Sequence, residues 1–198
     1  MIDNKLYLEK GKGEPIILLH GLFGALSNWK TVVNQFAKTH RVIIPKIPLT
    51  EVDVKKANLE SLTDYVKKFI NKQRLKNFIL IGNSLGGHIA LIYTILYPKN
   101  VKKLILTGSS GLYENSFGGS FPKRGDYKYI EDRVNHTFYN PDILTKKNVD
   151  DIFKTLNDNA KCLNIITIAR SAQRNNLAKK LYKIKCPTLL VWGLNDTI

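Results

Sequence analysis

Apolar and polar positions along this chain alternate between two periods. Residues 5–9 switch between apolar and polar at every step, the pattern of an edge strand with one face wet. Residues 15–19 are continuously apolar, as a strand covered on both faces must be. Residues 26–40 then take helical spacing through Trp29, Val32, Val33 and Phe36. A strand over 41–45 follows, and after it an amphipathic helix over 61–70 with Leu62, Tyr65, Val66, Phe69 and Ile70 on one face. Residues 78–81 read as a strand, 88–93 as a helical run, 104–107 as a strand, and 188–192 as a buried strand opened by Cys186-Pro187. Strand and helix in alternation predict an α/β fold with a mostly parallel sheet and helices on both faces.

The alternation stops between Gly108 and Lys185. Residues 108–125 are rich in Gly and Ser, as a flexible loop is, and the helical patterns at 127–134, 149–156 and 165–181 have no strands between them. The expected organisation is a core made of residues 1–111 and 186–198, with residues 112–185 inserted as a helical lid.

The candidate chemistry begins at Gly82-Asn83-Ser84-Leu85-Gly86, which sits between the 78–81 strand and the 88–93 helix. A strand, a Gly-x-Ser-x-Gly turn and a helix in that order form a nucleophile elbow. Glycine neighbours permit the strained backbone of such a turn, and the serine hydroxyl stands at a positively polarised helix N-terminus. The plainer reading is a tight turn with a capping serine; the flanking elements favour the elbow. Catalysis by a serine also needs an oxyanion hole, an acid and a base. Leu85, directly after Ser84, offers one backbone N–H. The segment His20-Gly21-Leu22-Phe23-Gly24, directly after the 15–19 strand, offers the second, through Leu22. The acid is expected at the end of a later strand, where Asp196 stands in Trp192-Gly193-Leu194-Asn195-Asp196.

These segments together resemble the α/β-hydrolase superfamily, in particular its lid-bearing serine hydrolases and esterases with a His-Gly oxyanion loop and a Gly-Asn-Ser-Leu-Gly-Gly elbow. The resemblance runs from about Lys5 to Ile198. It implies a cofactor-free serine hydrolase that holds no metal and acts on a small-molecule substrate, with Ser84, Asp196 and the Leu22 and Leu85 amides in the roles above. It tells against dehalogenase or epoxide-hydrolase chemistry, whose nucleophile is an aspartate. The family places its histidine after one further strand beyond the acid, so the chain is expected to be a C-terminally truncated fragment, lacking the final strand and helices. His20 is expected to organise the oxyanion loop, His88 to pack on or under the lid, His40 to end a surface helix and His136 to lie in the lid. None is placed as the base.

The implied reaction is cleavage of carboxylic esters of small to medium apolar substrates through an acyl-enzyme. Two other readings stay open: a non-catalytic ligand-binding protein using the lidded pocket, and a carbon–carbon bond hydrolase of the meta-cleavage type. Asn83 is shared with that last group, but Ile152 before Phe153 stands where those enzymes carry an arginine. Lys123 and Arg124 are read as flexible surface charges rather than its replacement.

Charge changes the picture less than its size suggests. The chain has 31 Lys and Arg against 16 Asp and Glu, a net +15 over 198 residues. The basic residues are spread singly or in pairs such as Lys55-Lys56, Lys67-Lys68 and Lys102-Lys103, a lysine-rich solvated surface and not a nucleic-acid module. Weak attraction to polyanions is all that follows. No secretory signal opens the sequence and no apolar run approaches the ~18 residues of a membrane span, so a cytoplasmic protein with no membrane partner is expected. Cys162 and Cys186 match no metal or redox spacing and are read as free thiols. Oligomeric state is left open.

Overall fold

The computed structural model describes residues 2–3, 6–24, 29–112 and 123–196. Seven strands form one sheet: β1 (Ile2–Asp3), β2 (Tyr7–Lys10), β3 (Glu14–Leu19), β4 (His40–Pro45), β5 (Phe78–Asn83), β6 (Val101–Thr107) and β7 (Thr188–Val191). Their spatial order is β1-β2-β4-β3-β5-β6-β7. Every pair from β4 to β7 is parallel, while β1 and β2 run antiparallel at one side.

Side-chain alternation along the central strands sorts two apolar clusters. Ile17, Leu19, Ile43, Phe78 and Leu80 point to one face, where they meet helices α2 (Leu59–Lys72) and α3 (Leu85–Leu96). Ile16, Leu18, Val42, Ile44, Ile79 and Ile81 point to the other, against Trp29 and Val33 of the region around α1 (Lys30–Phe36). Both faces are thus covered, which explains the unbroken apolar runs of β3 and β5. Helix α2 starts cleanly because the Asn58 side chain accepts a hydrogen bond from Ser61 N (2.9 Å). Its Leu62, Val66, Phe69 and Ile70 are buried along one stripe.

Between β6 and β7 the described chain runs through α4 (Tyr127–Asn135), α5 (Lys146–Asn157) and α6 (Asn159–Arg174), then a 3-10 stretch at Ala178–Lys183. Each α-helix is side-chain capped, by Asp126, by a reciprocal Thr145–Asn148 box, and by Asp158 respectively. These helices share the apolar cluster of α2 and α3 through Ile130, Val134, Val149, Leu156, Ile165 and Ile168. Polar ties join them as well: Asn164 Nδ2 donates to Val52 O (2.8 Å), and Leu59 N donates to Ser171 Oγ (3.1 Å).

Several expectations from sequence need correction. The first alternating strand is not the sheet edge, because β1 pairs outside it. Two residues are too short to leave a periodic signal. His40 opens β4 and does not end a helix, and the helical pattern over 165–181 is the end of α6 followed by a separate 3-10 stretch. The last strand is not buried: Thr188–Val191 pairs with β6 along one edge, yet all its side chains are exposed. It is the outermost strand, and no described helix packs across it. Part of the 26–40 helix pattern and most of the 108–125 loop lie outside the described residues. Among the described residues no helix is long and apolar enough to cross a membrane, and both cysteines are free.

Candidate active site

Strand β5 ends at Asn83 and α3 begins at Leu85, so Ser84 alone makes the turn between them. Its backbone sits at φ 51°, ψ −121°, a region L residues rarely adopt and which costs of order 1–3 kcal/mol. Hydrogen bonds hold it there. Ser84 N donates to Thr107 O (3.2 Å), and Ser84 O accepts from His88 N (3.1 Å) and Ser110 N (3.3 Å). Next to it, Asn83 Nδ2 donates to Thr107 O (3.0 Å) and Oγ1 (3.1 Å), fastening the end of β5 to β6.

The turn closes this tightly because its neighbours lack side chains. A methyl on Gly86 would stand 2.2 Å from Leu19 O, and one on Gly82 would stand 2.5 Å from Gly86 O. Helix α3 therefore lies almost directly on β3 and β5. Ser84 occupies the N-cap position of α3 but makes no capping bond, which leaves its hydroxyl at the positive end of the helix.

The His20–Gly24 loop packs against this serine. A methyl on Gly21 would stand 3.2 Å from Ser84 Cβ and 3.4 Å from Asn83 Oδ1. Gly24 N donates to Gly21 O (3.1 Å), and His20 Nδ1 donates to the same carbonyl (2.9 Å), so that His20 nitrogen carries the proton. Burial pushes the His20 pKa below its ordinary value, outweighing the opposite effect of the Gly21 bond. A neutral, buried His20 thus shapes the loop. Among the described residues no hydrogen bond engages the Leu22 or Leu85 N–H, and Leu85, as the first residue of α3, has no intrahelical acceptor.

Asp196 follows β7 in a turn closed by Asp196 N donating to Gly193 O (3.2 Å). Its Oδ2 lies 3.1 Å from where a methyl on Gly108 would stand, and Gly108 N donates to Val191 O (3.1 Å). Gly108 directly follows β6, whose Thr107 is in register with Asn83. Asp196 and Ser84 therefore share the carboxyl-terminal edge of the sheet. With β6 between β5 and β7, two strand spacings, roughly 10 Å, separate their strands.

The four histidines take other positions. His40 opens β4, at the opposite end of the sheet from Ser84, and His136 caps the C-terminus of α4. His88 is completely buried under Ser110, with Nδ1 3.3 Å from Ser110 Oγ and no hydrogen bond at Nε2. Burial pushes its pKa down to about 4, against a weaker opposing influence of Asn175 at the end of α6. Arg124 departs from the expected flexible charge. Its guanidinium donates to Leu156 O (3.3 Å) and Asn159 Oδ1, clamping the α5–α6 junction. Sequence reasoning did not find Ser110: only a Gly-Ser-Ser-Gly run after a strand marks it. Among the described residues no group of three or more His, Cys, Asp or Glu could hold a metal ion.

Comparison with known proteins agrees with this architecture. The family model described as the alpha/beta hydrolase fold matches residues 14–138, from the start of β3 to just past α4. Lipase 1 of Psychrobacter immobilis is 30% identical over 99% of this chain and 67% of its own length. The 2-hydroxy-6-oxo-6-phenylhexa-2,4-dienoate hydrolase of Comamonas testosteroni is 27% identical over 96% of this chain and 74% of its own. Among solved structures, MGS-MChE2, an alpha/beta hydrolase from the metagenome of lagoon sediments at Mar Chica, Morocco, superposes with a TM-score of 0.76 at 38% identity, covering 98% of this chain and 75% of that one. The acetoin-cleaving acetyltransferase component of Pseudomonas putida is 28% identical over 94% of this chain, which spans only 53% of its length. A parallel sheet with a serine on its strand–helix turn, a family model spanning most of that sheet, and relatives of this kind along nearly the whole sequence lead to one conclusion: the chain belongs to the alpha/beta hydrolase fold family.

Proposed function

We propose that this chain carries the nucleophile, oxyanion donors and orienting acid of a serine hydrolase that cleaves carboxylic esters of small to medium, mostly apolar substrates. One observation carries the reading: Ser84 is held at φ 51° on a strand–helix turn, its hydroxyl uncommitted at a helix N-terminus. The Gly21 loop stands directly against it. Ser84 Oγ attacks the ester carbonyl, and the Leu22 and Leu85 N–H groups hold the oxyanion. Such a donor is worth about 10²–10³ in rate. The alcohol leaves, water attacks the acyl-enzyme, and the acid is released.

Proton transfer needs an imidazole between Ser84 and Asp196. Their shared position at the carboxyl-terminal edge of parallel strands either side of β6 supports that arrangement. His40 at the start of β4, His136 at the end of α4, His88 against Ser110 and His20 bonded within its own loop are all otherwise placed, which supports a base contributed by a further segment of a longer protein. The chain spans 67% and 74% of two of its relatives, which leaves room for such a segment in a longer protein. Without the base, activity falls by about 10⁶, from a typical ~10 s⁻¹ to roughly one turnover per day. The helices inserted between β6 and β7, read as a lid, select the substrate. The sequence features favour a cytoplasmic protein acting on a small molecule without a cofactor.

A fluorophosphonate probe applied to the protein from its natural source tests this. Labelling at Ser84 that Ser84→Ala abolishes is the expected result. Absent labelling together with tight binding of an apolar ligand would instead establish a non-catalytic binding protein. A second reading, carbon–carbon bond hydrolysis, is favoured by Asn83 and by relatives named as dienoate hydrolases. Turnover of a meta-cleavage dienoate at a higher kcat/KM than any simple ester would replace the ester reading.

A further inference from the structure

We propose that Ser110 is a positioning residue for Ser84, and that through it the segment following α6 is mechanically tied to the nucleophile. The inference rests on the reading of Ser84 as the nucleophile, and deepens it.

Three donors converge on the Ser84 carbonyl. One, His88 N, belongs to the ordinary first turn of α3. The other two come from a single residue on a different element: Ser110 N at 3.3 Å and Ser110 Oγ at 3.4 Å. Each is long and individually weak. Together they hold both sides of a backbone group whose conformation is unfavourable by itself, and strain of this kind persists only where the surroundings over-determine it. Neither touches the reacting Oγ, so Ser110 acts through the Ser84 backbone.

The hydroxyl of Ser110 is shared. His88 Nδ1 lies 3.3 Å from it, on a ring that is completely buried. A neutral imidazole carries one N–H. With the proton on Nδ1, His88 donates to Ser110 Oγ, and the hydroxyl proton is free to serve Ser84 O. With the proton on Nε2, Nδ1 becomes an acceptor and draws the hydroxyl away from Ser84. The proton position on His88, which faces Asn175 as well as Ser110, therefore bears on whether the nucleophile's carbonyl has three donors or two.

The same loop is gripped from its other side. Gly111 has φ +122°, and a methyl there would stand 3.2 Å from both His88 Cδ2 and Leu91 Cδ1. Gly111 O accepts a hydrogen bond from Leu177 N (2.8 Å), and Asn176 Nδ2 donates to Leu112 O. The loop after β6 is thus pinned between α3 and the residues that follow α6, and Ser110 is its contact with the nucleophile. Displacing residues 175–177 moves Gly111, and with it the two donors on Ser84 O.

Two readouts test this with Ser110→Ala and Ser110→Thr. The first is native-state amide exchange on the 198-residue chain. Ser110→Ala is expected to speed exchange at His88 N–H about twofold to threefold, the loss of one weak hydrogen bond to the shared acceptor. Ser110→Thr, which keeps the hydroxyl, is expected to restore it, with β3 amides unchanged in both. The second is fluorophosphonate labelling of the natural-source protein. The maximal rate falls about tenfold in Ser110→Ala with the half-saturating probe concentration unchanged, and Thr recovers it. Unaltered His88 exchange in Ser110→Ala overturns the proposal, as does a labelling defect confined to half-saturation. A wild-type protein that never labels sinks the serine-hydrolase reading on its own, and the exchange result still decides whether Ser110 restrains Ser84.

Discussion

Gly21 lies directly against Ser84: a methyl group on Gly21 would stand 3.2 Å from the Ser84 Cβ. The two residues are 63 positions apart in the chain, and the parallel pairing of β3 with β5 brings them together by aligning Leu19 with Gly82. The His20–Gly24 loop and the elbow are therefore one site built from two adjacent strand ends.

Gly21→Ala tests how closely that site is fitted. The Gly21 backbone is not in the left-handed region, so alanine is conformationally acceptable and the effect is steric. The expected outcome is a labelling rate at Ser84 lower by about 10- to 100-fold, as displacement of reacting groups by up to an ångström produces. The urea midpoint should change little.

Gly86→Ala should act on stability instead. Alanine is favoured over glycine in a helix, by at most about 0.8–1 kcal/mol at this first-turn position. Here the added methyl would stand 2.2 Å from Leu19 O and 2.5 Å from Leu19 C, both backbone atoms of a central strand. Neither can rotate away, so α3 must lift off β3. Overpacking of this kind costs about 1–3 kcal/mol or more and outweighs the helix gain. Urea unfolding should show a net loss, without a change in m-value.

His88 predicts the direction of acid sensitivity. Its folded pKa is about 4 against an ordinary value of 6.5. Between those values the unfolded chain binds a proton that the folded chain refuses, so folding stability decreases as pH falls. The contribution is fully present above about pH 6.5 and is lost as pH falls to about 4, an order-of-magnitude total of about 3 kcal/mol. His20, also lowered by burial, acts in the same direction. Urea midpoints at pH 7 and pH 4.5 should differ more for wild type than for His88→Gln. Equal differences would show that His88 is not the sensor.

Strand β7 predicts self-association of the 198-residue chain. Leu189 is 55% exposed and Leu190 62%, on opposite faces of an outermost strand, with Trp192 at 47% beside them. An unpaired strand edge with apolar faces templates pairing between chains. Sedimentation velocity should show concentration-dependent association that Leu189→Lys with Leu190→Lys reduces. Monomeric behaviour of the unsubstituted chain at high concentration would contradict this.

Local chemistry made much of the candidate site legible. Gly82, Ser84 and Gly86 could be read as an elbow because their spacing, an apolar run before them and a helical run after them all lie within one short segment. The central strands were legible because burial on both faces leaves an unbroken apolar run. The inserted helices were legible as helices, though not their junctions, since the Asp158 cap that separates α5 from α6 is one polar residue in a periodic stretch.

What local pattern could not carry were relations between distant segments. That Gly86 must be small because of Leu19, that His88 is buried beneath Ser110, and that Arg124 clamps the α5–α6 junction all follow from pairings 32 or more positions apart, or from how a loop lies over a helix. Strand β7 shows the same limit in reverse. Its apolar residues marked a strand but not what covers it, because hydrophobicity records a tendency to be buried and only the packing of other elements decides whether it is. Sequence by itself determined the central strands, the long helices, their mostly parallel arrangement and the serine turn, since backbone sterics and side-chain period act over a few residues. Tertiary structure alone decided which groups meet at Ser84, because those contacts exist only once the sheet has set its strand order.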